Sequence, residues 1–273
     1  RLLFDIGRGA TIRLAQLQIP LGSVDAHFIT HFHSDHLSGL TDLWGTGWLP
    51  TNFGGRKTPM VIYGPEGTRE MTDHLTQAFR RDIEIRIADE LLPPAGIAFD
   101  VTEIAPGPVY DRDGVTVTAF EVHHGDLIKP AMGYRIGYDG KTVVISGDTT
   151  YDPRIAEQAG GADLLIHEVA SIDPGLIEKF PRLVEIGHHH TLPEEAGRIF
   201  AAARPKLAAY SHIILVQPGQ GIGKELDVTP LLTRTRETYD GPLIAGEDLM
   251  SFTISDRAVT VTGPDGAQVM RVE

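Results

Sequence analysis

Residues 31 to 36 read His31-Phe32-His33-Ser34-Asp35-His36, placing four side chains able to ligate a metal within six positions. They follow a strand-like run, Asp25-Ala26-His27-Phe28-Ile29-Thr30. Imidazole and carboxylate donors suit zinc or another borderline first-row ion, and a strand ending in a tight polar loop can turn such side chains toward one centre. A loop this dense in donors calls for a fold that brings further ligands to the same place.

Such partners occur in order along the chain. One is in Phe120-Glu121-Val122-His123-His124-Gly125, one is Asp148 in Val144-Ile145-Ser146-Gly147-Asp148-Thr149-Thr150, and one is His212 in Ala208-Ala209-Tyr210-Ser211-His212. Each ends an apolar, strand-like run. In an α/β sheet the ends of adjacent strands open on one edge, so ligands distant in sequence can converge there. The alternation from Val115 to Val122 sends His123 and His124 to opposite faces, so one of the two is the candidate. Seven ligands in all suffice for two metals. The chain has no cysteine, which removes disulfides and thiolate sites and leaves His and carboxylate as the strong ligands.

His-x-His-x-Asp-His, a later His, Gly-Asp-Thr and a final His together resemble the metallo-β-lactamase superfamily of binuclear hydrolases. The similarity is to its ribonuclease Z and arylsulfatase-like branch, carried also by Gly133-Tyr134-Arg135-Ile136, Ser146-Gly147-Asp148-Thr149, Leu165-Ile166-His167-Glu168 and His189-His190-Thr191. It runs from about Leu2 to Ile254. The resemblance implies a metallo-β-lactamase-like αββα sandwich, an α/β fold with two central mixed β-sheets and helices outside. It also implies that His31, His33 and His124 hold one metal, that Asp35, His36 and His212 hold another, and that Asp148 bridges them. The expected cofactor is two Zn²⁺, for which Mn²⁺ or Fe²⁺ could substitute. Two cations sharing a hydroxide supply a nucleophile near neutral pH, and Asp35 could also orient it. The family pattern pairs His190 with Glu168 as a dyad acting as general acid or transition-state donor. Relatives usually begin with further strands ahead of Arg1-Leu2-Leu3-Phe4-Asp5, so N-terminal residues, and an export signal, are expected to be missing.

A chain of 273 residues is ordinary for one α/β domain, and a single domain over 1–273 is the expectation. No run of eighteen apolar residues is present, so no membrane span is expected. Either cytoplasm or periplasm fits, and a homodimer is an open option. With 24 basic and 37 acidic side chains the net charge is −13, a field that repels polyanions in the absence of a local basic patch. Ribonuclease Z enzymes commonly carry a tRNA-gripping arm between Gly-Tyr-Arg and Gly-Asp-Thr. Here only Ile136 to Ser146 separate those motifs, a hairpin through Asp139-Gly140, and Ile213-Ile214-Leu215 follows His212 where the tRNA enzymes tend to show Ser-x-Arg-Tyr. The reading is therefore a dinuclear zinc hydrolase of small molecules, acting on a phosphodiester or aryl sulfate first, with a lactone or β-lactam next. Nucleic acid is disfavoured, and a ribonuclease Z-type 3′-tRNA endonuclease is the alternative.

Periodicity and turn residues predict helices over 10–18, 37–43, 68–81, 193–203 and 228–239, with Thr191 capping the fourth and Glu194 at its third position. Residues 44–59 read as a long loop whose Trp44, Trp48, Leu49 and Phe53 either line a substrate pocket or pack the loop down. The stretch after Arg81 reads as β-rich. His188 and His189 read as solvated neighbours of His190, His167 as a packed residue, and His27 and His74 as ordinary surface or core residues.

Overall fold

The computed structural model describes residues 1–219 and 227–273. Two compact units divide the chain, Arg1–Ala105 and Pro106–Glu273.

The first unit contains a four-stranded sheet of β1 (Leu2–Phe4), β2 (Ala26–Phe28), β3 (Met60–Gly64) and β4 (Phe99–Glu103), every pair parallel. Helices α1 (Ala10–Gln16), α2 (Ser34–Leu37), α3 (Leu40–Trp48), α4 (Thr68–Ala78) and α5 (Arg80–Asp89) connect the strands. Parallel strands need crossovers, and short helices supply them. The segment 44–59, loop-like in composition, begins as the second half of α3. Glycines at 45 and 47 weaken a helix, yet Leu40, Leu43, Trp44 and Trp48 fall on one face and are all buried, and that burial prevails over propensity. Trp44 stacks on Phe99 at 4.7 Å and donates to the Ile97 carbonyl at 2.8 Å. Both tryptophans are therefore core residues, while Phe53 stays exposed. The buried Arg56 guanidinium donates to the carbonyls of Trp44 at 2.6 Å and Gly96 at 3.0 Å.

Helix α5 replaces the β-rich reading after Arg81. Ile83, Ile85 and Ile87 alternate as in a strand, but Ile83 and Ile87 pack on the core four residues apart and Ile85 is left exposed. Arg86 pairs with Asp82 and Glu90, each at 3.0 Å, the i±4 spacing that only a helix brings together.

The second unit is built on a mixed seven-stranded sheet of β5 (Gly107–Arg112), β6 (Val115–Glu121), β7 (Met132–Tyr138), β8 (Lys141–Ile145), β9 (Leu164–Ile172), β10 (Leu207–Val216) and β11 (Leu243–Ala245). Strands β5 to β8 are antiparallel neighbours, and β8 to β11 run parallel. Since β6 and β8 are both antiparallel to β7, strands β6, β8, β9 and β10 all point the same way. The two faces are buried differently. Helices α6 (Pro153–Gln158), α7 (Pro174–Lys179), α8 (Val184–Gly187) and α9 (Pro193–Ala203) lie between β8 and β10 in the chain. Leu165, Ala208 and Tyr210 join Ile199 and Phe200 of α9, whereas Leu164, Leu207 and Ala209 cover a small antiparallel sheet of β12 (Ser251–Ile254), β13 (Val259–Thr262) and β14 (Gln268–Val272). Helix α9 spans the residues read from the sequence, but its cap is not Thr191. Pro193 opens it, and the Glu195 carboxylate accepts from the Leu192 amide at 3.0 Å, so Leu192 is the cap. The Thr191 hydroxyl is committed to the Thr149 carbonyl at 2.8 Å.

His27 and His167 are both buried, and burial pushes each imidazole down to about 4 from the ordinary 6.5. An unfolded chain binds protons at these positions between pH 6.5 and 4 that the folded chain does not, so stability is full above pH 6.5 and falls as pH drops toward 4. Each group contributes about 3 kcal/mol at the limit. Urea unfolding between pH 7.5 and 4.5 is expected to show this loss, with a shallower slope in the His27→Asn, His167→Gln double variant. Equal slopes in the two proteins would show that these histidines do not govern it.

Candidate metal centre

In the first unit, β2 delivers its chain to the donor loop. Phe4 pairs with Phe28, which sets Asp5, just beyond β1, beside Ile29 and Thr30. The Asp5 carboxylate accepts from the Thr30 amide and hydroxyl, each at 2.8 Å, and from His36 Nδ1 at 2.6 Å. With Nδ1 donating to Asp5, the lone pair of His36 lies on Nε2, which is 3.6 Å from Asp35 Oδ2. The His31 ring sits 4.7 Å from that of His33 and 4.1 Å from that of His36. His31 and His36 are buried, His33 and Asp35 exposed. Gly7 permits this packing: a Cβ there would lie 2.4 Å from the Asp35 carbonyl oxygen.

In the second unit the shared direction of β6, β8, β9 and β10 brings His124, Asp148, Glu168 and His212 to one edge. His124 and His123 separate as the alternation requires. His123 is exposed and bonded to the Thr150 hydroxyl at 3.1 Å, while His124 is buried and donates through Nδ1 to the His189 carbonyl at 2.7 Å. His124 Nε2 is thereby left as the lone-pair nitrogen, 3.8 Å from Asp148 Oδ2. Asp148 Oδ2 is also 3.3 Å from His212 Nε2. Gly147, at φ 62°, makes the turn that presents Asp148. His212 sits at a bulge between Tyr210 and Ile213 in the β9–β10 pairing, with φ 45°. A bulge beside a site re-aims a side chain, and here it holds the His212 ring stacked on that of His190 at 5.6 Å.

Glu168 is 2% exposed. Its Oε1 accepts from the Thr191 amide at 2.8 Å and the Thr149 amide at 3.4 Å, and its Oε2 accepts from His190 Nδ1 at 3.1 Å. Burial raises the Glu168 pKa above the ordinary carboxylate value, and the bond to His190 is the largest influence opposing it. Donor atoms of His124, Asp148 and His190 lie within 4.8 Å of one another, as do those of Glu168, His190 and His212. Imidazoles with one nitrogen locked by a carboxylate or carbonyl, gathered around a carboxylate, fit a divalent borderline ion. His188 and His189 are exposed and His74 lies on the surface. His167 packs edge-on against Phe200 at 5.7 Å and donates to the Glu168 carbonyl at 2.6 Å.

A family model described as "Beta-lactamase superfamily domain" matches residues 1–213. The chain belongs to the metallo-β-lactamase superfamily. Ribonuclease Z of Mycobacterium marinum is 36% identical over 257 residues, covering 93% of this chain and 88% of that protein. Ribonuclease Z of Mycobacterium bovis is 33% identical over 260 residues, with the same two coverages of 93% and 88%. Among solved structures, the metallo-β-lactamase fold protein YhfI of Bacillus subtilis superposes with a TM-score of 0.67 at 20% identity, over 90% of this chain and 85% of that one. This superfamily protein thus has the metallo-β-lactamase fold, is a hydrolase of a metal-dependent family, and stands with ribonuclease Z homologues.

Those homologues overturn two expectations, that the substrate is a small-molecule ester and that nucleic acid is disfavoured. A net charge of −13 does not exclude RNA, because it is a sum over the whole chain, whereas a phosphate responds to charges within a Debye length of about 8–10 Å. The hairpin between β7 and β8 is as short as the sequence suggests. Asp139 and Gly140 turn β7 into β8 with φ of 48° and 72°, but a short hairpin in one place says nothing of surfaces elsewhere.

Sequence reasoning missed Asp5, Thr191 and the His189 carbonyl. Asp5 carried one signal, a carboxylate ending a strand next in the sheet to the strand that feeds the donor loop. Among the described residues no helix is long and apolar enough to cross a membrane. The variant Asp5→Asn is expected to weaken metal binding by roughly 10–100-fold in chelator competition while circular dichroism stays unchanged. Unaltered affinity would show that Asp5 serves only to tie Thr30.

Proposed function

We propose that this chain is a ribonuclease Z-type endonuclease, a metal-dependent phosphodiesterase that cuts precursor tRNA at its 3′ side. The observation that carries the reading is 36% identity to a ribonuclease Z across 93% of the chain. Two zinc ions are the proposed cofactor, with Mn²⁺ or Fe²⁺ able to replace them. Their proposed ligands are His31, His33 and His124 for one, Asp35, His36 and His212 for the other, and Asp148 for both. When bound, such ions polarise a phosphoryl oxygen and make water acidic enough to attack at neutral pH.

The protein's own groups do the rest. Asp5 and the His189 carbonyl hold His36 and His124 in the tautomer that turns Nε2 outward. Glu168, fixed by the Thr191 and Thr149 amides, takes the Nδ1 proton of His190 in a hydrogen bond and so sets the ring's orientation. His190 is then placed to deliver the proton on Nε2 to the ribose oxygen that departs when the P–O bond breaks. Asp35, half exposed beside His36, is proposed to align the attacking water.

Purified zinc-loaded protein is expected to cut a precursor tRNA at a single 3′ position at moderate salt, and failure to cut any such precursor would overturn the reading. His190→Ala is expected to lower that turnover by roughly two to four orders of magnitude with metal content intact. Metal loss in that variant would make His190 a ligand instead. Elemental analysis of the wild-type chain is expected to give two metals at saturation, and a plateau at one would remove the dinuclear assignment.

A further inference from the structure

At the head of the donor loop in the first unit, one hydroxyl links a second histidine to the carboxylate that already holds His36. Strands β1 and β2 pair as far as Phe4 and Phe28, and the Asp5 amide extends that ladder by donating to the Phe28 carbonyl at 2.8 Å. Asp5 then turns into the left-handed region, at φ 57°, which a short polar side chain tolerates better than most. Its carboxylate continues where the backbone ladder stops. Oδ1 accepts from the Thr30 amide, and Oδ2 accepts from both the Thr30 hydroxyl and His36 Nδ1. Thr30 Oγ1 lies in addition 2.9 Å from His31 Nδ1. Both Thr30 and His31 are buried.

Counting protons fixes the direction of each bond. A threonine hydroxyl has one proton to donate and lone pairs with which to accept, whereas an ionised carboxylate only accepts. The single Thr30 proton therefore goes to Asp5 Oδ2, because the reverse would set the lone pairs of two buried oxygens against each other at 2.8 Å. Thr30 Oγ1 is then the acceptor toward His31, so the His31 proton sits on Nδ1 and its lone pair on Nε2. His36 reaches the same state by its direct bond to Asp5. An imidazole that carries its proton on Nε2 cannot ligate through that nitrogen, so the bond at Nδ1 decides whether the ring is ready for a metal.

We propose that Thr30 is a positioning residue for the metal centre: its hydroxyl relays the Asp5 acceptor to His31, so that one carboxylate sets the proton position on two ligands. The inference rests on the ligand sets proposed above, in which His31 serves one metal and His36 the other. Asp5 thus acts on both metals, on one directly and on the other through Thr30. Removing the hydroxyl affects the His31 metal alone, and removing the carboxylate affects both.

The test reads the rings and the metals separately. In the full-length chain stripped of zinc and held at alkaline pH, where imidazoles are neutral, long-range proton–nitrogen correlation NMR shows which nitrogen of each histidine carries its proton. Wild-type protein is expected to show His31 and His36 both protonated on Nδ1. Thr30→Val keeps the branched shape but loses the hydroxyl, and is expected to release His31 to a mixture of the two states while His36 keeps its own. Thr30→Ser retains a hydroxyl and is expected to hold His31 as the wild type does. Thr30→Ala takes the place of the valine variant should that one fail to fold. A His31 proton on Nε2 in the wild type, or one that stays on Nδ1 when the hydroxyl is removed, would overturn the relay. With zinc restored, chelator competition is expected to show one of the two ions weakened by roughly 10–100-fold in Thr30→Val, both in Asp5→Asn, and neither in Thr30→Ser. Equal weakening of both ions by Thr30→Val would also overturn the relay and leave Thr30 a structural tie. Neither measurement requires RNA to be cut. A chain with these tautomers that leaves precursor tRNA intact would sink the ribonuclease reading alone, and a chain that cuts it with His31 unmoved by Thr30→Val would sink the relay alone.

Discussion

A buried carboxylate has to be bonded on both oxygens or be expelled, and Glu168 is held by that requirement. Its oxygens take two backbone amides and one imidazole, from two other segments of the second unit. The loop holding Thr149, the middle of β9 and the turn into α9 are thereby locked together. Asp148 adjoins the first of these and His190 the third. The same bond that satisfies a buried charge thus sets the orientation of the proposed acid. Thr191 adds to this by spending its hydroxyl on the Thr149 carbonyl instead of capping α9, which leaves Glu195 to satisfy the helix start.

Strand direction does the remaining work in that unit. An antiparallel β7 between β6 and β8 makes those two strands point alike, and the parallel run from β8 onward continues the direction to β10. Donors placed after β6 and β8 and within β9 and β10 then meet at one edge without any long insertion. His212 needs one further device. In a regular strand its side chain would follow the period of two, and the bulge at Tyr210/Ile213 with a positive φ frees it from that alternation. The strain of a left-handed histidine, of order 1–3 kcal/mol, is the cost of aiming the ring at Asp148 and His190.

The first unit reaches a comparable result with a smaller sheet. Asp5 ties the end of β1 to Thr30 and His36, so the donor loop is anchored through one carboxylate. The apolar side of the unit is closed by Trp44 and Trp48, whose indole nitrogens are bonded to backbone carbonyls, and by Arg56, which bridges the carbonyls of two segments. A guanidinium buried this way serves as a cross-link, and burial lowers its pKa to about 10 without removing its charge at neutral pH.

The candidate donors could be picked out of the chain, because without cysteine the strong ligands are His and carboxylate side chains, and those at or near strand ends can reach a sheet edge. Alternation put His123 and His124 on opposite faces, the family resemblance pointed to His124, and the structure buries His124 and exposes His123. The hidden features share one physical origin. Helix α3 holds despite two glycines because tryptophan burial outweighs propensity, and α5 forms although three isoleucines alternate like a strand, because only two of them find a core. Asp5, Thr191 and the His189 carbonyl act through bonds to residues 23 to 65 positions away, which no local pattern encodes. Net charge misled for the same reason, since a sum over the sequence carries no positions. Sequence by itself determined which groups can ligate and which strands carry them, through residue chemistry and the period of two. Tertiary structure alone decided how each ligand is oriented and which carboxylate is buried beside which imidazole, because those depend on distances the chain acquires only when its distant segments pack.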